Sequence, residues 1–236
     1  MAAHGDAAPL ASSSDDLAEE SPLGESRLPP ALALLAYLGI NVALRIWLPD
    51  GSPIRVPWLI PSIEALLLVA LLATNPTELA RRTHWLRPVI LGLVGLLVVA
   101  ALWATALLVY DLIRGEGVTN SPSELLAVGA TVWLGNNLAF ALLYWLIDSG
   151  GPIARRANPA PRDFAFTQQM SPELAPPGWR PVFLDYLHLG FTNATAFSPT
   201  DVMPLTHRAK YTMLVQSTVA LALFGLIVAR AVNAFT

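Results

Sequence analysis

The chain has 236 residues, 54% of them hydrophobic and only 13% charged, with a formal net charge of −3 and no cysteine. That composition excludes an ordinary soluble domain and is better counted in membrane spans of about 20 apolar residues each. The missing cysteine excludes disulfides, thiolate metal sites, iron–sulfur clusters and cysteine nucleophiles.

The segment 1–27 is rich in Ala, Ser, Asp, Glu and Gly, and is expected to be a disordered acidic tail. Its acidic start and lack of a cleavage site do not fit a signal peptide. A four-helix transmembrane region is predicted over 28–147. The first span runs from Pro30 to Leu48, opened by Pro29-Pro30 and closed by Pro49-Asp50-Gly51. The second runs from Val56 to Thr74, and a basic loop with Arg81, Arg82, His84 and Arg87 follows. The third, Pro88 to Ile113, is the most apolar. The fourth opens on Ser121-Pro122-Ser123-Glu124, a capping-box pattern, and continues to Ile147. Residues 148–181 are polar and rich in Pro and Gly, and read as a loop on the membrane surface. A pore-like segment at 182–198 and a last span from Thr206 to Phe235 complete the chain. The fold class is therefore an all-α polytopic membrane bundle of five to six membrane segments, the fifth of them polar and either crossing or re-entrant.

Arginine placement orients the bundle. With a cytoplasmic N-terminus and a crossing fifth segment, Arg27, Arg81, Arg82, Arg87, Arg155, Arg156, Arg162, Arg180 and Arg230 lie inside. Arg55, Arg114, Arg208 and Lys210 then lie outside. A re-entrant fifth segment moves Arg208 and Lys210 inside and the C-terminus outside. The charge rule does not separate these two arrangements.

The fifth segment, FLDYLHLGFTNATAFSPTDVMP, concentrates polar groups in an apolar setting. Asp185, His188, Thr192 and Thr195 are spaced three, four and three apart, on one helical face. That face is expected to point into the bundle, toward the fourth and last spans near Asn136 and Gly225, because lipid would penalise it. The pore or binding candidates are Asp185, His188, Thr192, Asn193, Thr195, Ser198, Thr200 and Asp201. Asp185 and His188 read either as a proton relay or as a helix cap beside a packed histidine. Arg45 lies about one turn, and Glu64 about two turns, below the outer ends of their spans. They read as an intramembrane ion pair with Arg45 snorkelling outward. Asn136 and Asn137 are mid-span hydrogen-bond formers. Thr131, Gly135 and Ala139, and on the last span Thr218, Ala222, Gly225, Ala229 and Asn233, are small-residue packing stripes. Asn193-Ala194-Thr195 matches a glycosylation sequon by chance, being inside a membrane segment. The four histidines have no metal-ligand spacing, and there is neither a phosphate loop nor a nucleophile elbow.

The residues from Phe183 to Lys210, with the following helix and its Ala229-Arg230 ending, resemble the pore-helix, filter and inner-helix module of two-transmembrane potassium channels. Thr195 falls at the end of that module's pore helix, and Asp201 and Pro204 fall after its filter. The filter itself falls on Ala196-Phe197-Ser198-Pro199-Thr200, without either glycine. A carbonyl ladder for potassium needs those glycine conformations, and Pro199 removes a backbone N–H. Over residues 30 to 236 the chain also resembles a family of uncharacterised bacterial multi-pass integral membrane proteins. The likeness lies in the basic loop after the second span, the LLYWLID ending of the fourth, Asp163-Phe164, the aromatic fifth segment, and Ala229 to Asn233. The abundance of alanine and of arginine over lysine is also associated with GC-rich bacterial genomes.

The reading is thus a channel or transporter for a small ion or solute, with the fifth segment lining its path. The alternative is a non-conducting structural or assembly membrane protein. No enzyme activity, cofactor, metal or nucleic acid is expected. The expected partners are the lipid bilayer, a small ion or solute, and further copies in a homo-oligomer. The expected location is the cell (inner) membrane, with the N-terminus cytoplasmic.

Overall fold

The computed structural model describes residues 25–47, 58–73, 86–114, 122–157, 161–195 and 201–234. Four long or mid-length helices come first: α1 (Leu28–Trp47), α2 (Leu59–Ala73), α3 (Leu86–Arg114) and α4 (Pro122–Ile147). A short 3-10 turn (Asp148–Gly150), helix α5 (Pro152–Ala157), strand β1 (Phe164–Phe166) and helix α6 (Thr167–Met170) follow. Another 3-10 turn (Pro172–Leu174) leads to α7 (Phe183–Thr195), β2 (Val202–Pro204) and α8 (His207–Ala234). The molecule is mostly helical, in agreement with an all-α bundle. Helices α1, α3, α4 and α8 are long and apolar enough to cross a membrane, while α2 has 15 residues.

Helix α4 is the centre of the bundle. Its most apolar window is 72% buried, against 22–28% for α1, α3 and α8, so the others wrap around it. It packs on α1, α3, α7 and α8. Its small residues let them approach. A Cβ at Gly135 would collide with the Tyr37 hydroxyl of α1, and one at Gly129 with the Ile227 side chain of α8. The stripe Thr131, Gly135 and Ala139 is buried accordingly. The second stripe is a correction: Thr218, Ala222, Gly225 and Ala229 of α8 are exposed, and among the described residues nothing lies within 4 Å of a Cβ at Gly225, while the Asn233 side chain lies outside the described residues. Helix α8 packs instead through Met213, Gln216, Ala220 and Leu223, on the opposite face of the helix.

The helix ends define the topology. Glu25, just before α1, bonds to Trp145 near the end of α4 and to the backbone of Phe183 at the start of α7. Arg208, at the start of α8, donates to the Ile147 carbonyl at 3.2 Å. The start of α1, the end of α4 and the starts of α7 and α8 therefore share one end of the bundle. Arg45 of α1 meets Trp58, just before α2, at the opposite end.

Helix α7 enters the bundle from the shared end. Its 13 residues make about 20 Å at 1.5 Å per residue. Far along it, Phe191 packs edge-on against Trp133, midway up α4, with ring centroids 5.3 Å apart. Yet β2, soon after, pairs antiparallel with β1, in the register Phe164↔Pro204, Ala165↔Met203, Phe166↔Val202. Leu205 N also donates to Asp163 O at 2.8 Å. Both flanks of α7 thus lie at the same end of the bundle. Ser198 and Thr200 lie outside the described residues.

Candidate functional site

Two polar layers hold α7 in place. The deeper one joins α4, α7 and α8. Tyr144 donates its hydroxyl to Gln216 Oε1 at 2.7 Å, and Asn193 Nδ2 donates to the same oxygen at 2.8 Å and to Met213 O at 3.0 Å. Gln216 Nε2 donates to Gly190 O at 2.9 Å, with Asn137 Oδ1 at 3.5 Å. Ser217 donates to Asn193 Oδ1 at 3.3 Å. Tyr144, Asn137, Asn193 and Gln216 are all buried, and none of their polar atoms is left unpaired. A Cβ at Gly190 would sit 3.2 Å from the Asn137 carbonyl oxygen, so glycine permits this close crossing.

The second layer is a plate at the shared end, organised by two carboxylates, Asp148 and Asp163, both fully inside. Ser149, Gly150 and Gly151 have φ of 51, 80 and 98 degrees, a left-handed turn that stops α4 and that the glycines favour. Asp148 Oδ1 then accepts from the backbone N–H groups of Asp163 and Phe164 at 2.9 and 3.2 Å, while Oδ2 accepts from the Tyr186 hydroxyl. Asp163 accepts from Ser149 N, from Thr206 Oγ1 and from both Nε and Nη2 of Arg208. Arg155 Nη1 donates to the Trp145 and Asp148 carbonyls at 2.7 and 3.0 Å. With Arg208 on Ile147 O, two arginines cap the C-terminus of α4, where orphan carbonyls and the helix dipole favour cations. Arg155 also pairs with Glu25 at 3.1 Å. Glu25, assigned by composition to the tail, belongs to the folded body. Phe164, Phe166, Tyr144, Tyr186, Trp145 and Phe183 fill the space between these groups with edge-on ring contacts.

Electrostatics differ between Glu25 and Asp163. Burial pushes the Glu25 carboxyl up, against the lowering effect of Arg155 and Trp145. Burial also works to raise Asp163, but the hydrogen bonds from Arg208 and Thr206 and the Arg208 charge outweigh it and hold that carboxyl below its usual range. A depressed carboxyl stabilises the fold above its unfolded pKa, and that contribution is lost as pH falls through the folded value. The melting temperature gap between the wild type and Asp163→Asn should therefore be widest near neutral pH and shrink once pH falls below about 4. Thermal unfolding in detergent across that range measures it.

The candidate strip on α7 faces the other way from expectation. Phe183, Tyr186, Leu189, Gly190, Asn193 and Ala194 are the buried face. His188 and Thr195 are exposed, and Asp185 and Thr192 half-buried. The cost argument fails because the groups satisfy themselves. Thr192 and Thr195 donate to the carbonyls of His188 and Phe191 in their own helix at 3.0 and 2.8 Å. Asp185 accepts from Val182 N at 2.7 Å in the first turn, a capping role. Of the candidates on α7, only Asn193 reaches the interior. Asp201 accepts at its backbone carbonyl from Thr167 N at 3.2 Å, beside the strand pair.

The expected Arg45–Glu64 pair is not formed. Glu64 Oε1 accepts from Asn41 Nδ2 at 2.8 Å, and the Arg45 guanidinium lies 4.3 Å over the Trp58 ring. Glu64 is 0% exposed while Arg45 reaches the rim of the bundle, because a long arginine gains more from an interfacial aromatic than from burial. Asn136 donates across to Thr105 of α3 at 2.6 Å and lies outside the α7 network.

A cavity of about 580 Å³ opens at the shared end, beside Glu25 and Arg155, with Arg162, Gln169, Trp179 and Arg180 in its walls. It does not reach Thr192 or Thr195. Among the described residues no group of three His, Asp or Glu side chains could hold a metal ion. Comparison with known proteins finds no matching family model, no matching curated protein and no matching solved structure.

Proposed function

We propose that this chain is a structural or assembly subunit of a membrane, with α1, α2, α3, α4 and α8 crossing it and α7 re-entering from the cytoplasmic side. The observation that carries this reading is the closed network of Tyr144, Asn137, Asn193 and Gln216: the interior face of α7 is a lock whose hydrogen bonds are all made. Two outward features favour assembly with further copies. The exposed stripe of Thr218, Ala222, Gly225 and Ala229 on α8 suits close helix contact. The outer face of α7 mixes Leu184 and Phe191 with His188 and Thr195. The orientation rests on arginine: Arg27, Arg87, Arg155, Arg162, Arg180, Arg208 and Lys210 belong to the end that α7 enters, which makes that end cytoplasmic by the positive-inside rule.

Conduction between copies is the second reading. A helix that enters, returns to its starting side and is followed by a crossing helix is the order of a channel pore module. Several copies would bring together the outward strip of Asp185, His188, Thr192 and Thr195. Ion flux through purified protein in liposomes separates the readings, combined with cysteines placed singly at 187, 191, 192 and 195. The assembly reading expects no flux and equal protection at all four positions. Flux, with water-soluble thiol reagents attacking 192 and 195 before 187 and 191, would replace it by the second.

A further inference from the structure

Glu64 is the one ionisable side chain of α2, and it is fully buried, as is Asn41 of α1 opposite it. Asn41 Nδ2 supplies one hydrogen bond, to Oε1 at 2.8 Å. Two buried atoms of the same pair have no partner among the described residues: Glu64 Oε2 and Asn41 Oδ1. For an ionised Glu64 this would be costly twice over. A full charge would sit in the bundle on a single neutral donor, and two buried acceptor oxygens would be left without any hydrogen to accept. One proton removes both costs. Placed on Oε2, it turns that oxygen into a donor, and the unfilled acceptor of the pair is Asn41 Oδ1. A carboxylic acid and a primary amide are complementary in this way, each giving one hydrogen and taking one.

We propose that Glu64 holds a proton and forms with Asn41 a doubly hydrogen-bonded acid–amide pair, a buried proton-binding site between α1 and α2. The surroundings suit a neutral group. The Tyr37 hydroxyl, one turn earlier on α1, is a hydrogen-bond neighbour of the Asn41 amide, yet Asn41 Oδ1 is left without a partner. Arg45, one turn later, is placed over Trp58. Toward α2, helix α3 contributes Ile90, Val94, Leu97 and Ala100 to a shared apolar cluster with Ile60, Ile63, Leu67 and Leu71. Its charged residues, Arg87, Asp111 and Arg114, lie in its first and last turns. Releasing the proton would leave a bare carboxylate between two helices, so packing of α1 on α2 is coupled to occupancy of the site. This inference does not depend on whether the protein conducts.

Infrared spectroscopy of the full chain in liposomes at neutral pH tests it. The expected result is a carbonyl band of a protonated carboxylic acid that is lost in Glu64→Gln. In Asn41→Leu the band should move to higher frequency, because the carbonyl loses its amide donor. Carbon-13 labelling of the glutamates in the otherwise natural chain gives the same readout should Glu64→Gln not fold, with Asn41→Leu identifying the band. Loss of a carboxylate band in Glu64→Gln, or a labelled spectrum with no protonated glutamate, would overturn the proposal. A protonated band indifferent to Asn41→Leu would overturn the pairing.

Discussion

Replacing Asp163 by alanine should lower stability by about 3 kcal/mol and detach the start of α8 from the loop. The carboxylate is fully buried and takes four hydrogen bonds from three residues in two parts of the chain, Ser149 after α4 and Thr206 and Arg208 at the start of α8. Alanine leaves the buried Ser149 N–H without a partner and releases the Arg208 guanidinium. Arg208 itself is 58% exposed, so its lost charge contact is screened and most of the cost falls on the buried donors. Asp163→Asn, which keeps the shape and one acceptor, should cost less. A melting temperature in detergent that is unchanged by Asp163→Ala would show that the plate does not hold the fold.

Gln216→Leu should be nearly as damaging, at about 2 to 3 kcal/mol. Its amide oxygen serves Tyr144 and Asn193, and its amide nitrogen serves Gly190. Leucine matches the volume but strands two donors and a carbonyl where three helices meet. Measured interhelical hydrogen bonds in membranes average only about 0.6 kcal/mol each, so the effect rests on how many are lost together. The coupling shows in a double-mutant cycle: Asn193→Ala should cost clearly less in the Gln216→Leu background than in the wild type. Additive costs would mean that the two side chains act separately.

The helices were legible in the sequence because hydropathy and capping report directly on them. Pro122 begins α4 where the capping box places it, and each long helix lies within a few residues of its apolar run. The face of α7 was misread because the polar residues were treated as one chemical class. A threonine on a helix satisfies its hydroxyl on its own backbone, and an aspartate in the first turn is a cap, so neither needs the interior. Asn193 has a side-chain carbonyl that its own helix gives no donor, its partners Met213, Gln216 and Ser217 lie on α8, and it is the residue that went inside. The same distinction explains Arg45 and Glu64: a long stem reaches the interface while a short carboxyl stays buried. The plate was missed for another reason. Asp148 and Asp163 sit in a loop whose composition reads as surface, and their burial depends on contacts with Tyr186 and Arg208 far along the chain. The one local signal was an acid directly after an apolar helix and before Ser-Gly-Gly, a stop in which a side chain has to replace helical bonds.

The placement of α7 is tested most directly by the side of the membrane on which its flanks lie. Single cysteines at Met170, Met203 and Thr236 can be introduced without background, since the chain has none. In intact cells a membrane-impermeant thiol reagent should label position 236 and leave 170 and 203 untouched, and all three should react once the cells are opened. Labelling of 203 from outside while 170 stays protected would mean that the chain crosses the membrane between them, and would contradict the re-entrant architecture.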